Sequence, residues 1–381
     1  MDYATSCPRY VSLFTLLSLI FDRKGIFQRS QQLKTMVEVI KKGVLLTKTD
    51  LEFENEAVSN PCAFQDGNTV HLYYRAVSQG NFSSIGYCRL NGPDEVEERL
   101  TRAIISPESG FESHGVEDPR IVKIDGLFYL TYTAYDGVNA FGALAISKDL
   151  FNFTKLNIIT PLLSYNQFEE IIFSREDMDD RYSSYYSTTI THSTIERSNF
   201  IWNKDVMFFP RRINGKLYFM HRIKPDIQLV AVKELSELTI EFWNEYIYYL
   251  EEHTILKPKY KHEIVHIGGG APPIETSEGW LIIYHGVRYC LGKGNVYSAC
   301  AALLDLNNPF LEIARLSYPL FEPDQNWEQE GQVNNVCFPS GTSLFGDTLT
   351  IYYGAADEQI ARASVSLSGL LAELTTNSKT K

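Results

Sequence analysis

The chain has 381 residues, 44% of them apolar and 13% aromatic, enough to bury a large core. Its 35 basic against 47 acidic residues give a net charge of −12 with no long basic run, which argues against nucleic acid and anionic membrane surfaces as partners. Six scattered cysteines (Cys7, Cys62, Cys88, Cys290, Cys300, Cys337) show no paired spacing, so neither a disulfide framework nor a metal site is expected.

The first 35 residues stand apart from the rest of the chain. Tyr10 to Phe21 is apolar but too short to span a bilayer. Asp22-Arg23-Lys24 comes next with no small-residue cleavage site, so the stretch reads as a start assigned too early, with Met36 the natural one. A cytoplasmic location is then expected, and a periplasmic or secreted one if the stretch is a signal core. Residues 36–373 are read as one domain, and 374–381, rich in Lys, Ser and Thr, as a flexible tail.

Within 36–373 a hairpin unit recurs five times. Asp66-Gly67, Asp125-Gly126, Asn214-Gly215, Glu278-Gly279 and Gly346-Asp347 each precede an aromatic-rich strand. Such dipeptides supply the positive φ of tight hairpin turns, and β-branched or aromatic residues flank them. The turn glycines lie 59, 89, 64 and 67 residues apart, about one four-stranded blade plus loops. The fold class is therefore all-β, a five-bladed β-propeller. Asn152 to Phe200 is a long excursion that fits no blade strand, of the kind that forms lids or oligomer contacts, so a homo-oligomer is admitted.

The segments leading into the hairpins carry the chemistry. Gly115-Val116-Glu117-Asp118-Pro119-Arg120 places a carboxylate on stiff backbone, because proline restricts its own φ and that of the residue before it. In a propeller the innermost strands all start at one end of the channel. Asn60, Asp118, Lys204 and Asn335 should therefore converge there, with Arg75, His221, Arg222, His285 and Asp357 on neighbouring segments. Polar groups converging on an aromatic pocket mark a small-molecule site.

These motifs resemble glycoside hydrolase family 130. The resemblance rests on Gly-Val-Glu-Asp-Pro-Arg at 115–120, Asn-Lys-Asp at 203–205, Ile-Asn-Gly-Lys at 213–216 and His-Arg at 221–222. Gly-Gly-Gly-Ala-Pro-Pro-Ile at 268–274, Gly-Trp-Leu-Ile-Ile-Tyr-His-Gly-Val at 279–287, Ala-Leu-Leu-Asp-Leu at 302–306 and Tyr-Tyr-Gly-Ala-Ala-Asp at 352–357 extend it. It implies a five-bladed propeller that cleaves β-linked manno-oligosaccharides with inversion, by hydrolysis or phosphorolysis. It also implies Asp118 as general acid, Asn60, Arg75 and Asp357 as mannose contacts, and Lys204 and His285 on the phosphate side. Arg120 and Tyr132 complete the expected sugar contacts, and His221 and Arg222 the nucleophile side. No cofactor is implied beyond inorganic phosphate as co-substrate of a phosphorylase.

One departure tilts the reading toward water. Family phosphorylases usually carry a phosphate-binding arginine where this chain has Phe141. Losing a charged hydrogen bond removes about 1.5–3 kcal/mol. The leading expectation is thus an inverting β-mannosidase, with a phosphorylase as alternative and a non-catalytic glycan-binding propeller as the rival class. A hydrolase needs a base roughly 6.5–9.5 Å from the acid, and Glu263, Glu169 and Glu170 are candidates.

Overall fold

The computed structural model describes residues 36–175, 180–189 and 200–378, and 21 strands lie among them. The stretch expected to precede the domain, residues 1–35, lies outside the described residues. The strands form five blades, antiparallel within each, and one parallel bridge between Ser83 and Gly115 joins the first two. The first blade runs Ala57–Asp66, Thr69–Ser78, Phe82–Asn91, Glu95–Arg99, and the second Gly115–Ile124, Leu127–Tyr135, Ala140–Ser147, Thr154–Ile158. The third is Lys204–Phe208, Leu217–Arg222, Ile227–Val232, Thr254–Leu256. In the fourth, His266–Gly269 and Ile274–Thr276 share the inner position before Gly279–Cys290, Gly294–Leu304 and Glu312–Arg315. The fifth takes Cys337–Phe345, Thr348–Ala355 and Gln359–Ser366 from the end of the chain and Val39–Leu46 from its beginning. That last pairing closes the ring by completing the fifth blade with the strand that leads into the first.

The turn glycines behave as their chemistry requires: Gly67, Gly126, Gly215 and Gly346 adopt φ of 59°, 84°, 76° and 60°. These turns lie at the face opposite the starts of the inner strands. The excursion after Asn152 contributes the outer strand of the second blade, Thr154–Ile158, and then helices Tyr165–Phe173 and Arg181–Thr189. Glu169 and Glu170 are exposed on the first helix. Of the expected flexible tail, residues 374–378 end the helix Leu367–Ser378, whose Leu370 and Leu374 share a buried cluster with Leu316 and Phe321, and residues 379–381 lie outside the described residues. Apolar spacing of four on one helix face outweighs the polar residues around it.

A buried glutamate staple repeats in four blades. Glu112 accepts the backbone N–H groups of Glu108 and Ser109, the Tyr132 hydroxyl at 2.7 Å and Lys155 at 2.7 Å. Glu263 accepts Lys259 N–H, Tyr260 N–H, the Tyr284 hydroxyl and Arg315. Glu328 does the same with Asp324 N–H, Gln325 N–H, Tyr353 and Lys41. In the first blade Glu54 joins Tyr74 and Arg99. Each staple ties a short turn before the inner strand to the second strand and to a cation of the outermost strand. A buried carboxylate needs such a full set of partners. The third blade substitutes His221 for the tyrosine, bonded to Asn203 Oδ1 at 3.0 Å and the Tyr246 hydroxyl at 2.7 Å.

Candidate active site

Three inner strands carry the same local distortion near their starts. Register slips between Ser59 and Cys62, between Glu117 and Arg120, and between Lys204 and Met207. Within these bulges Asn60, Asp118 and Asp205 take φ of 50°, 50° and 57°, the left-handed region that Asn and Asp tolerate best. The bulge re-aims one polar side chain per blade into the channel. Asn60 Nδ2 donates to Asp118 Oδ1 at 2.7 Å, so neighbouring blades meet there. Gly354 permits this approach, since a Cβ at that position would collide with the Asn60 side chain.

Around Asp118 the charges interleave. Lys204 Nζ lies 3.2 Å from Asp118 Oδ2 and 3.3 Å from Glu117 Oε2. Arg75 reaches Glu117 Oε1 at 2.9 Å and Asp357 Oδ2 at 3.6 Å, and Ser59 donates to Asp357 Oδ1 at 2.9 Å. On the far side Arg222 Nη1 lies 3.0 Å from Asp205 Oδ2 and 3.1 Å from His285 Nε2. An Arg N–H can only donate, so His285 Nε2 accepts and the ring proton sits on Nδ1. Gly268 leaves the room for this pairing, because a Cβ there would strike both the His285 ring and the Asp205 carboxylate.

Burial disfavours charge on Asp118, but Lys204, Arg75, Arg120 and the Asn60 bond outweigh it and hold the carboxyl well below its usual range. Asp357 moves the other way: burial raises it, and Arg75 only partly offsets that. Lys204 is held above its ordinary value by Asp118 and Glu117, against burial. His285 is kept neutral by burial and by the nearby Arg222 and Arg120.

The structure thus brings together Asn60, Arg75, Asp118, Lys204, Arg222, His285 and Asp357. Several expected residues lie elsewhere. Arg120 is buried behind the bulge and donates to the carbonyls of Asp118, Pro119 and Gly270, so it fixes the backbone under Asp118. Tyr132 and Glu263 are staple members whose polar atoms are engaged in holding the scaffold, Glu263 by four hydrogen bonds. His221 points away from Arg222, as strand alternation demands, into the cluster of Trp243 and Tyr246. Asn335, also at positive φ (62°), donates to Lys293 O. Phe141 is fully buried, edge-on to Phe111 and Phe200 at 5.5 Å each. Asp205 and Glu117 were not singled out by sequence reasoning. Asp205 repeats the inner-strand position of Asp118, an equivalence set by the bulges of the two strands.

Comparison with known proteins points to one family. A family profile described as beta-1,4-mannooligosaccharide phosphorylase matches residues 31–375. A 1,2-beta-oligomannan phosphorylase of Thermoanaerobacter sp. (strain X514) is 33% identical over 334 residues, covering 84% of this chain and 94% of that one. A beta-1,2-mannobiose phosphorylase of Listeria innocua is 32% identical over 295 residues, covering 70% and 78%. The solved beta-1,2-mannobiose phosphorylase from Listeria innocua, with beta-1,2-mannobiose bound, superposes with a TM-score of 0.65 at 21% identity, covering 89% of this chain and 99% of that one.

Proposed function

The chain belongs to glycoside hydrolase family 130, and from that premise we propose that it phosphorolyses β-mannosides, releasing mannose 1-phosphate. The observation that carries this reading over hydrolysis is the pairing of the pocket carboxylates. Glu117 and Asp118 face Lys204, Asp357 faces Arg75, and Asp205 faces Arg222. Each of these four carboxylates thus has a cation within 4 Å. Beside them stand the Lys204 ammonium, the Arg222 guanidinium and the neutral His285 imidazole, groups suited to hold an anion. The names of the similar phosphorylases support β-1,2-linked mannosides as the first substrates to try.

Mechanistically, Asp118 must be protonated to act as acid, directly or through a sugar hydroxyl that passes its own proton to the leaving oxygen. The Lys204 ammonium opposes that protonation. A phosphate bound at Lys204 shares its charge and so raises the proton affinity of Asp118. Nucleophile binding and acid charging are thereby coupled through one ammonium. Attack from the face opposite the leaving oxygen inverts a β-mannoside to the α-phosphate.

One observation favours hydrolysis: Phe141 stands where phosphorylases carry an arginine, and it is buried among rings. Reverse reaction separates the two. Incubated with α-mannose 1-phosphate and mannose, the enzyme should release phosphate and form a disaccharide. Failure to release phosphate, by an enzyme that degrades the same disaccharide in buffer without phosphate, overturns the proposal.

A further inference from the structure

A row of aromatic rings leaves the pocket along one side of its mouth. Phe82 and His114 have ring centroids 5.0 Å apart, His114 and Tyr135 6.1 Å, and Tyr135 and Trp202 6.3 Å. The two ends of the row are exposed, Phe82 by 46% and Trp202 by 37%, whereas His114 and Tyr135 are half-buried beneath them. The row spans three blades, yet each ring is close in sequence to a pocket residue. Phe82 precedes Ser83, which accepts from Arg75 Nε at 2.8 Å. His114 lies three residues before Glu117, and Trp202 two before Lys204. Tyr135 ends the strand that pairs Thr133 with Glu117.

These rings are held in place. The Trp202 indole donates to Val138 O at 2.9 Å, and the Tyr135 hydroxyl to Gly137 O at 2.9 Å. His114 is gripped through its backbone, donating to Tyr135 O and accepting from Ser83. Large apolar rings fixed at a solvent boundary, beside a polar pocket, are suited to the C–H faces of a sugar chain.

Resting on the β-mannoside reading above, we propose that Phe82 and Trp202 form a stacking track for the sugars of a manno-oligosaccharide that extend beyond the linkage being cleaved. The track selects for chain length. The pocket around Asp118 handles the reacting mannose, and the rings capture sugars that a disaccharide does not possess.

The test compares kcat/KM on β-1,2-mannobiose and β-1,2-mannotetraose for the native enzyme, Trp202→Ala, Phe82→Ala and the control Phe151→Ala. Phe151 is an exposed ring at the opposite end of the second blade. Trp202→Ala and Phe82→Ala should each lower kcat/KM on the tetrasaccharide about ten-fold, through KM, and change the disaccharide less than about two-fold. Phe151→Ala should change neither. Equal losses on both substrates, or a changed oligomeric state on size exclusion, would instead make the row a structural or subunit contact and overturn the proposal. The ratio is read with whichever nucleophile the enzyme uses, so it stands if phosphorolysis fails. If neither mannoside is cleaved, the underlying reading has failed.

Discussion

Asp118 occupies a backbone conformation that most residues resist, and the rest of the pocket is arranged around that fact. The bulge aims its carboxylate, Asn60 orients one oxygen and Lys204 neutralises the other. Asp118→Asn keeps the shape and the tolerance of positive φ but cannot supply a proton. Turnover on an unactivated mannoside should fall by about 10²–10⁴-fold with the fold unchanged by circular dichroism; near-native turnover would remove Asp118 from the chemistry. Lys224, on the turn between strands Leu217–Arg222 and Ile227–Val232, gives a second handle. Burial and the neighbouring Arg222 push its ammonium down to about 7. Its charge is therefore present below that pH and lost above it, so any help it gives to anion binding fades as pH rises through 7. Between 7 and the ordinary lysine range the unfolded chain holds a proton that the fold does not, so this group makes stability rise with pH there. Lys224→Arg keeps its charge throughout and should flatten the alkaline rise in KM for phosphate. An unchanged pH profile would show that Lys224 does not face the anion.

The staple glutamates show how an element can resemble a catalytic group. Glu263 is a buried carboxylate beside a glycine-rich run, and sequence alone cannot tell it from a base. Its hydrogen bonds to two backbone N–H groups, a tyrosine and an arginine make it part of the scaffold. Glu263→Ala should cost about 3–5 kcal/mol, because the buried Tyr284 hydroxyl and two backbone N–H groups lose their acceptor while Arg315 keeps only Glu312 and the Lys257 carbonyl. It should lower Tm while sparing kcat of the folded fraction. A large kcat loss at unchanged Tm would return Glu263 to the chemistry. The five hairpins were legible because turn dipeptides and alternating aromatics are local signals; Asp-Pro marked Asp118, but its left-handed φ of 50° comes with the bulge and is not the extended backbone that a following proline favours. His221 and Tyr132 were misplaced because a strand sends neighbours to opposite faces, and which face meets the channel depends on bulges that spacing does not reveal. Asp205 was overlooked for the same reason: its equivalence to Asp118 emerges only when the inner strands are aligned by their bulges.

Closure of the ring brings the ends of the chain to one site. Val39–Leu46 completes the fifth blade and carries Lys41 into the Glu328 staple, while Asp357 of that blade meets Arg75 of the first. Deleting residues 39–46 exposes a strand edge and leaves Glu328 without its cation, so the variant should lose both cooperative unfolding and activity. A cooperative melt with activity retained would show that the ring does not need this strand. The central claim, that phosphate and not water attacks the mannose, is tested most directly by a ³¹P NMR time course with β-1,2-mannobiose. A growing α-mannose 1-phosphate resonance, matched mole for mole by released mannose and absent when phosphate is withheld, is the predicted result. Release of two mannose molecules per disaccharide at the same rate with and without phosphate would contradict it.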